Sequence, residues 1–137
     1  MDAGALGRVY QDRETIFCQG DAGESMYVIL EGKVELYIDR DGHETSIKLC
    51  REGEFVGEMA LFQREKRNSN ARANGKARLL SVDKKNFLRR VQEDPSIALR
   101  LVQNLSERIH ELDEEIVVLN HVIGECLDAQ LRQDKPG

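Results

Sequence analysis

The chain has 137 residues, of which 40% are hydrophobic and 33% are charged; these shares fit one folded domain and exclude a largely disordered chain or a second full domain. Its 20 Lys and Arg against 25 Asp and Glu give a net charge of -5, which argues against a surface devoted to nucleic acid. The sequence contains neither a secretory signal nor about 18 consecutive apolar residues, so we expect a soluble, cytoplasmic protein.

Residues 14–82 predict short β-strands separated by glycines. In the segment MYVILEGKVELYID, apolar and polar residues alternate with the period of two that is typical of half-buried strands, at Val34, Leu36 and Ile38. Asp41-Gly42 lies between two such segments and predicts a tight hairpin. These patterns predict a small antiparallel sandwich or barrel.

Two helices are predicted after Val82. Asp83 is placed to cap a short helix whose apolar side carries Phe87, Leu88 and Val91. Asp94 and Pro95 then provide the N-cap and the first position of a second helix, which little interrupts before residues 135–137.

The second helix has a seven-residue apolar repeat. β-Branched residues occupy one set of positions, and mostly leucine occupies the other: Val102, Ile109, Ile116 and Ile123 at a, with Ala98, Leu105, Leu112, Leu119 and Cys126 at d. This combination favours two parallel strands in a coiled coil, and Arg108 at g would meet Asp113 at e of the other helix.

An amphipathic helix can instead pack along its own sandwich. That alternative explains the first turns well but the last turns poorly, because about 37 residues span roughly 55 Å at 1.5 Å per residue, longer than so small a domain. We therefore predict a parallel homodimer.

The stretch from Gly53 to Ala73 carries the chemistry. Gly57 and the residues after it predict a strand that ends in glycine and turns into one helical turn, where free N–H groups attract anions. Nine residues beyond Glu58 comes Arg67, whose planar guanidinium can bind two oxygens of one phosphate. A carboxylate beside such a site suits a ribose 2′-hydroxyl, so the pair predicts binding of a phosphorylated ribose.

The order of motifs from about Tyr10 to Leu119 resembles the cyclic-nucleotide-binding domain of the catabolite activator protein and of the protein kinase A regulatory subunit. The matching residues are Ile16-Phe17, Gly20-Asp21, Gly23, Met26-Tyr27, Ile29, Gly32, Val34-Glu35, Gly53, Gly57-Glu58-Met59-Ala60-Leu61, Arg67, Ala71 and Ala73. An ordered set of this length rarely arises by chance.

The resemblance implies an α+β fold: an eight-stranded antiparallel, jelly-roll-like β-roll with a phosphate-binding cassette helix and a long C-terminal dimerisation helix. Residues 1–94 would form the cyclic-nucleotide-binding core with short flanking helices. Residues 95–134 would form the lid and coiled-coil helix of the same domain.

The resemblance also implies the roles of the site residues. Glu58 would hold the ribose 2′-hydroxyl and Arg67 the cyclic phosphate, with Gly57 shaping the site. Backbone N–H groups around Met59, Ala60 and Ser69 would complete it. Asn68 could face a purine edge or a phosphate oxygen, and its amide does not choose adenine over guanine. Leu112 and Asp113 fall where the catabolite activator protein places two hydroxyl residues against the adenine, so they are the candidate base-lid residues.

Other interpretations of these residues are less specific. Arg67 could form a surface salt bridge with Glu58 or Glu65. Three separated cysteines and three histidines lack metal-ligand spacing, so we expect reduced thiols, no metal and no cofactor besides the nucleotide ligand. No nucleophile has a histidine partner in sequence context, so we expect no enzyme activity.

We expect a regulatory sensor of cAMP, or less strongly cGMP, that signals to an unknown effector protein through movement of its C-terminal helix. The sequence has no helix-turn-helix after this region, so we expect no direct DNA binding, and no membrane contact is predicted. The alternatives are a dimeric adaptor with a lapsed pocket that binds no nucleotide, and a sensor of a cyclic dinucleotide.

Overall fold

The structure, a computed structural model, describes residues 6–62 and 66–134. Six strands and three helices follow in chain order: β1 Arg8–Tyr10, β2 Thr15–Phe17, β3 Ser25–Arg40, β4 His43–Cys50, β5 Phe55–Val56, α1 Met59–Phe62, β6 Asn70–Asp83, α2 Lys84–Glu93 and α3 Ser96–Asp134. The chain divides into two compact units between Ile97 and Ala98.

The strands form one antiparallel sheet in the order β1-β6-β3-β4, while β2 pairs with β6 and β5 pairs with β3. The predicted fold class, an antiparallel β-structure followed by a long helix, is confirmed. Within the described ranges the strands number six rather than eight, because β3 and β6 are long and continuous. Their pairing shifts register on both sides of Glu31 instead of breaking, and the positive φ of 87° at Gly32 lets the chain bend there.

The hairpin between β3 and β4 is the one predicted at Asp41-Gly42. Both turn residues have positive φ, 55° and 83°, the backbone requirement that makes this dipeptide common in two-residue turns. Arg40 pairs with His43 across the turn, and Asp39 Oδ1 accepts the Gly42 N–H at 3.0 Å. Local sequence therefore sets this register.

The core of the first unit is formed by buried residues from all six strands. Its fully buried members include Ile29 and Val34 of β3 and Ala71, Ala73 and Leu79 of β6. The small Ala71 and Ala73 pair opposite Leu36 and Val34 on β3, so apolar residues meet across the two neighbouring strands.

The cap predicted for α2 is confirmed, since Asp83 Oδ1 accepts the Asn86 N–H at 2.8 Å. The predicted apolar side of this helix is only partly correct. Phe87 is buried, but Leu88 is 51% exposed, because consecutive helical residues point about 100° apart and only one of the two can face the sheet.

α3 begins at Ser96, one residue after the predicted start. The predicted cap is formed by Asp94, whose Oδ1 accepts both the Ser96 N–H at 3.1 Å and the Ser96 hydroxyl at 2.6 Å. Its 39 residues would span about 58 Å at 1.5 Å per residue. In the parts of the chain that the structure covers, no helix combines the length and the apolar character needed to cross a bilayer.

Several residues of the predicted heptad repeat are exposed on α3, namely Val102, Ile109, Leu112, Ile116, Leu119 and Ile123. Arg108 is predicted to meet Asp113 of a second helix. Within its own helix, Arg108 Nη1 lies 3.6 Å from Glu111 Oε2.

Candidate functional site

The site begins where β5 ends. Gly57 follows Val56 with φ of 72°, a left-handed conformation that glycine adopts without the strain a side chain would bring. The chain then turns into α1, with the Ala60 N–H donating to the Gly57 carbonyl at 3.2 Å and the Leu61 N–H donating to the Glu58 carbonyl at 3.1 Å. Leu61 is buried and anchors the turn. The predicted sequence of strand, glycine and one helical turn is confirmed.

The main chain of Arg67 is fixed by the loop between β2 and β3. The Arg67 N–H donates to the Asp21 carbonyl at 2.8 Å, and the Gly20 N–H donates to the Arg67 carbonyl at 2.8 Å. These bonds join segments that are more than 40 residues apart in the chain. They fix the main chain of Arg67 beside the loop between β2 and β3.

The guanidinium of Arg67 binds two backbone carbonyls. Nη1 donates to the Gly57 oxygen at 3.1 Å and Nη2 donates to the Ser25 oxygen at 2.6 Å. The residue is only 9% exposed. Among residues 6–62 and 66–134, no carboxylate forms an ion pair with it within 4.0 Å. The surface salt bridge with Glu58 is therefore not formed, and Glu65 lies outside the described residues.

Burial lowers the pKa of the Arg67 guanidinium, because removal from water disfavours its charged form. Tyr27, Asp21 and Glu58 oppose this shift electrostatically. Arginine nevertheless stays protonated in proteins. The site thus contains a buried positive charge whose hydrogen-bond partners are neutral carbonyls, an arrangement that favours an incoming anion.

Glu58 lies directly after Gly57 and is half-buried. Burial lowers the pKa of the Arg67 guanidinium, and the charge of the Glu58 carboxylate opposes that shift. Within the described part of the chain, no hydrogen bond or ion pair of this carboxylate is present. Its oxygens can therefore accept hydrogen bonds from a ligand hydroxyl.

The other predicted site residues are placed differently. Ser69 is buried beside Arg67 in the chain, whereas Asn68 and Met59 are exposed and Ala60 is half-buried. Leu112 and Asp113 are exposed residues of α3. The structure brings Gly57 and Arg67 into contact. The ligand roles of all the predicted site residues stay predictions. In the described ranges, no group of three or more His, Cys, Asp and Glu could hold a metal ion.

Three residues around Arg67 were not predicted to have a functional role. The Phe17 ring centroid lies 4.4 Å from Arg67 Cζ and the Tyr27 centroid lies 5.9 Å from it, while Ser25 provides a carbonyl. Phe17 and Tyr27 were part of the recognised motif order without a role. Only the pairing of distant strands brings them to Arg67.

Known proteins resemble this chain over most of its length. The cyclic AMP receptor protein of Thermus thermophilus is 32% identical over 114 residues, which cover 82% of this chain and 53% of that protein. The crystal structure of the Thermus thermophilus catabolite activator protein aligns with a TM-score of 0.70 and 32% identity over 82% of this chain and 54% of that one. This chain thus spans about half the length of these relatives.

A third relative is the EAL enzyme Bd1971. Its cAMP-bound form aligns with a TM-score of 0.59 and 29% identity, covering 90% of this chain and 33% of that one. Its cGMP-bound form gives a TM-score of 0.59 and 27% identity, covering 94% and 35%.

The chain also matches a protein family as a whole. Residues 7–94 match the family described as the cyclic nucleotide-binding domain. This range includes the Gly57 turn, Glu58 and Arg67, so the family assignment covers the same residues that form the buried cationic site. The chain belongs to the cyclic nucleotide-binding domain family.

Proposed function

We propose that this chain is a regulatory sensor that binds a cyclic nucleotide, cAMP first and cGMP as the alternative. Arg67 binds the cyclic phosphate, and Glu58 accepts a hydrogen bond from the ribose 2′-hydroxyl. One observation carries the proposal: Arg67 is a buried cation that has carbonyl partners but no carboxylate within ion-pair distance among the described residues. A cyclic phosphate carries the single negative charge that would neutralise it.

The preference for cAMP follows from the relatives. One of them is named a cyclic AMP receptor protein, and the EAL enzyme has structures with either nucleotide. Asn68 is exposed, and its amide can donate to one purine and accept from another. The assignment of Leu112 and Asp113 to a base lid is part of the proposal, and an Asp113→Ala change that alters the ratio of cAMP to cGMP affinity would support it.

Titration calorimetry with cAMP, cGMP and a cyclic dinucleotide tests the ligand. Arg67→Ala should weaken binding by about a hundredfold or more, as expected for loss of a buried charge-assisted contact. Arg89→Ala removes an exposed arginine of α2 and is the matched control, which should bind like wild type. Unchanged cAMP affinity in Arg67→Ala refutes the site. If none of the three ligands binds, the result favours the dimeric adaptor with a lapsed pocket. If only the cyclic dinucleotide binds, it favours a cyclic-dinucleotide sensor.

The output of the sensor is a movement of α3 that a partner protein detects. A ligand shifts such an equilibrium only by its different affinities for two states. The exposed apolar repeat of α3 supports a parallel homodimer, because a two-stranded coiled coil would cover those side chains. The same proposal includes an effector that is a protein and not DNA. It also includes a cytoplasmic location.

The proposed activity is binding without turnover. Incubation of cAMP with the protein, followed by chromatography, should return the nucleotide unchanged. Formation of 5′-AMP that depends on protein concentration and persists through purification would contradict this part of the proposal.

A further inference from the structure

The Arg67 guanidinium rests against an aromatic pair. Phe17 on β2 and Tyr27 on β3 stack with ring centroids 5.9 Å apart and an interplanar angle of 27°, and Arg67 Cζ lies 4.4 Å from the Phe17 centroid. Phe17 is 8% exposed. A cation in this position is attracted to the negative face of the ring, and more strongly when water is excluded.

Gly23 borders the same guanidinium. A Cβ on Gly23 would overlap Arg67 Nε and would lie 2.5 Å from Cζ and 2.6 Å from Nη2. Gly23 is not among the glycines with positive φ, so its backbone conformation is open to other residues. A side chain at Gly23 would therefore displace the guanidinium, whereas the backbone φ of the turn does not demand glycine.

The two carbonyl bonds complete this confinement. Gly57 and Ser25 each accept one N–H of the guanidinium, which has five, so donors remain for a ligand. A side chain already held in one position loses little conformational entropy when it binds. A flexible surface arginine would have to be ordered by the ligand itself.

We propose that Phe17 and Gly23 are positioning residues of the ligand site: Phe17 provides the ring on which the Arg67 guanidinium rests, and Gly23 leaves the space that the guanidinium occupies. Together they hold Arg67 in place for a phosphate. This inference rests on the proposed function only for its effect on ligand affinity. The packing that it describes can be tested without a ligand.

The first test is a double-mutant cycle in urea unfolding. Gly23→Ala should lower the unfolding midpoint of the wild type, because the guanidinium must leave its two carbonyls. In an Arg67→Ala background, Gly23→Ala should not lower the unfolding midpoint, since the guanidinium with which the new Cβ would collide is absent. Gly124→Ala, where a Cβ meets no atom within 4 Å, is the control and should act equally in both backgrounds. An equal effect of Gly23→Ala in both backgrounds overturns the role of Gly23.

The second test is spectroscopic. The ring current of Phe17 should displace the guanidinium proton resonances of Arg67 from those of the exposed Arg89. Phe17→Leu should abolish the displacement, and Phe17→Tyr, which keeps the ring, should restore it. A purely structural role in the core would leave the Arg67 resonances independent of the ring. Equal resonances in wild type and Phe17→Leu overturn the role of Phe17.

The third test is calorimetry with cAMP on the same proteins. Gly23→Ala and Phe17→Leu should each weaken binding by about tenfold or more, and Phe17→Tyr and Gly124→Ala should stay within about twofold of wild type. If wild type binds cAMP and Gly23→Ala or Phe17→Leu binds equally well, that residue has no positioning role while the proposed function stands. If wild type binds no cyclic nucleotide, the proposed function fails, and the first two tests still decide the packing.

Discussion

Arg67 Nη1 donates to the carbonyl of Gly57 at 3.1 Å, and a Cβ added to Gly57 would lie 2.5 Å from that same nitrogen. The glycine thus binds the arginine through its backbone and accommodates it by having no side chain. Gly57 belongs to the turn before α1, so the position of the guanidinium and the shape of this turn depend on each other.

Replacing Gly57 with alanine should therefore affect both stability and binding. The positive φ at Gly57 and at Gly42, 72° and 83°, would cost an alanine about 1–2 kcal/mol of unfolding free energy at either position. A Cβ on Gly42 meets nothing within 4 Å, so Gly42→Ala is the control for backbone strain alone. Urea unfolding should show a larger loss for Gly57→Ala than for Gly42→Ala, because a Cβ on Gly57 would also collide with the guanidinium. Calorimetry should show weakened cAMP binding in Gly57→Ala alone. Wild-type affinity in Gly57→Ala would contradict the coupling.

Glu58→Gln should reduce the preference for a ribose hydroxyl, because a neutral amide oxygen accepts a weaker hydrogen bond than a carboxylate. A hydrogen bond to a charged acceptor contributes about 1.5–3 kcal/mol and one to a neutral acceptor about 0.5–1.5 kcal/mol, so cAMP should bind about tenfold more weakly. The nucleotide 2′-deoxy-cAMP lacks the hydroxyl and should bind both proteins with similar affinity.

The measurement is competition calorimetry with the two nucleotides on wild type, Glu58→Gln and Glu52→Gln. Glu52 is exposed, so its change alters the net charge without altering the site. A variant at position 58 that still prefers cAMP over 2′-deoxy-cAMP as wild type does would exclude Glu58 from the ribose contact.

The proposed dimer can be tested with two adjacent residues of α3. Ile116 is 53% exposed and Val117 is 68% exposed, but only Ile116 lies at a predicted a position. In a parallel two-stranded coiled coil a is buried and b faces water, so Ile116→Lys should dissociate the dimer and Val117→Lys should not. Sedimentation equilibrium at micromolar concentration should give twice the mass of one chain for wild type and Val117→Lys. A wild type that sediments as a monomer would refute the proposed dimer.

Tyr10 should make stability fall at alkaline pH. Burial raises the pKa of its phenol above the ordinary value of about 10, with a further contribution from Tyr27. A raised folded-state pKa means that the folded protein retains the proton when the unfolded chain has lost it. The stabilisation is therefore complete below about pH 10 and is lost as pH rises through the folded-state pKa.

The measurement is urea unfolding of wild type and Tyr10→Phe at several pH values from about 8 to 11. Above about pH 10 the wild type should lose unfolding free energy more steeply than the variant, which has no phenol at this position. Parallel curves for the two proteins would show that Tyr10 titrates alike in the folded and unfolded chain.

Features that depend on neighbouring residues were predictable. The Asp41-Gly42 hairpin, the Asp83 cap and the turn after Gly57 follow from backbone preferences of a few consecutive residues. The ordered motif around Glu58 and Arg67 similarly predicted the family. The exposure of Leu88 and the continuity of β3 and β6 were not predicted, because each depends on which face the sheet covers and on how strands bend around the core.

The sequence by itself determined the order of the motifs, and the resemblance carried by that order implied the fold class and the two charged residues of the candidate site. The tertiary structure decided what surrounds Arg67. Ser25, which is 42 residues away in the chain, accepts one of its hydrogen bonds, and Phe17 and Gly23 come from other segments of the sheet and its loops. Burial, stacking and close approach depend on strand pairing across such separations, and no local pattern encodes those contacts.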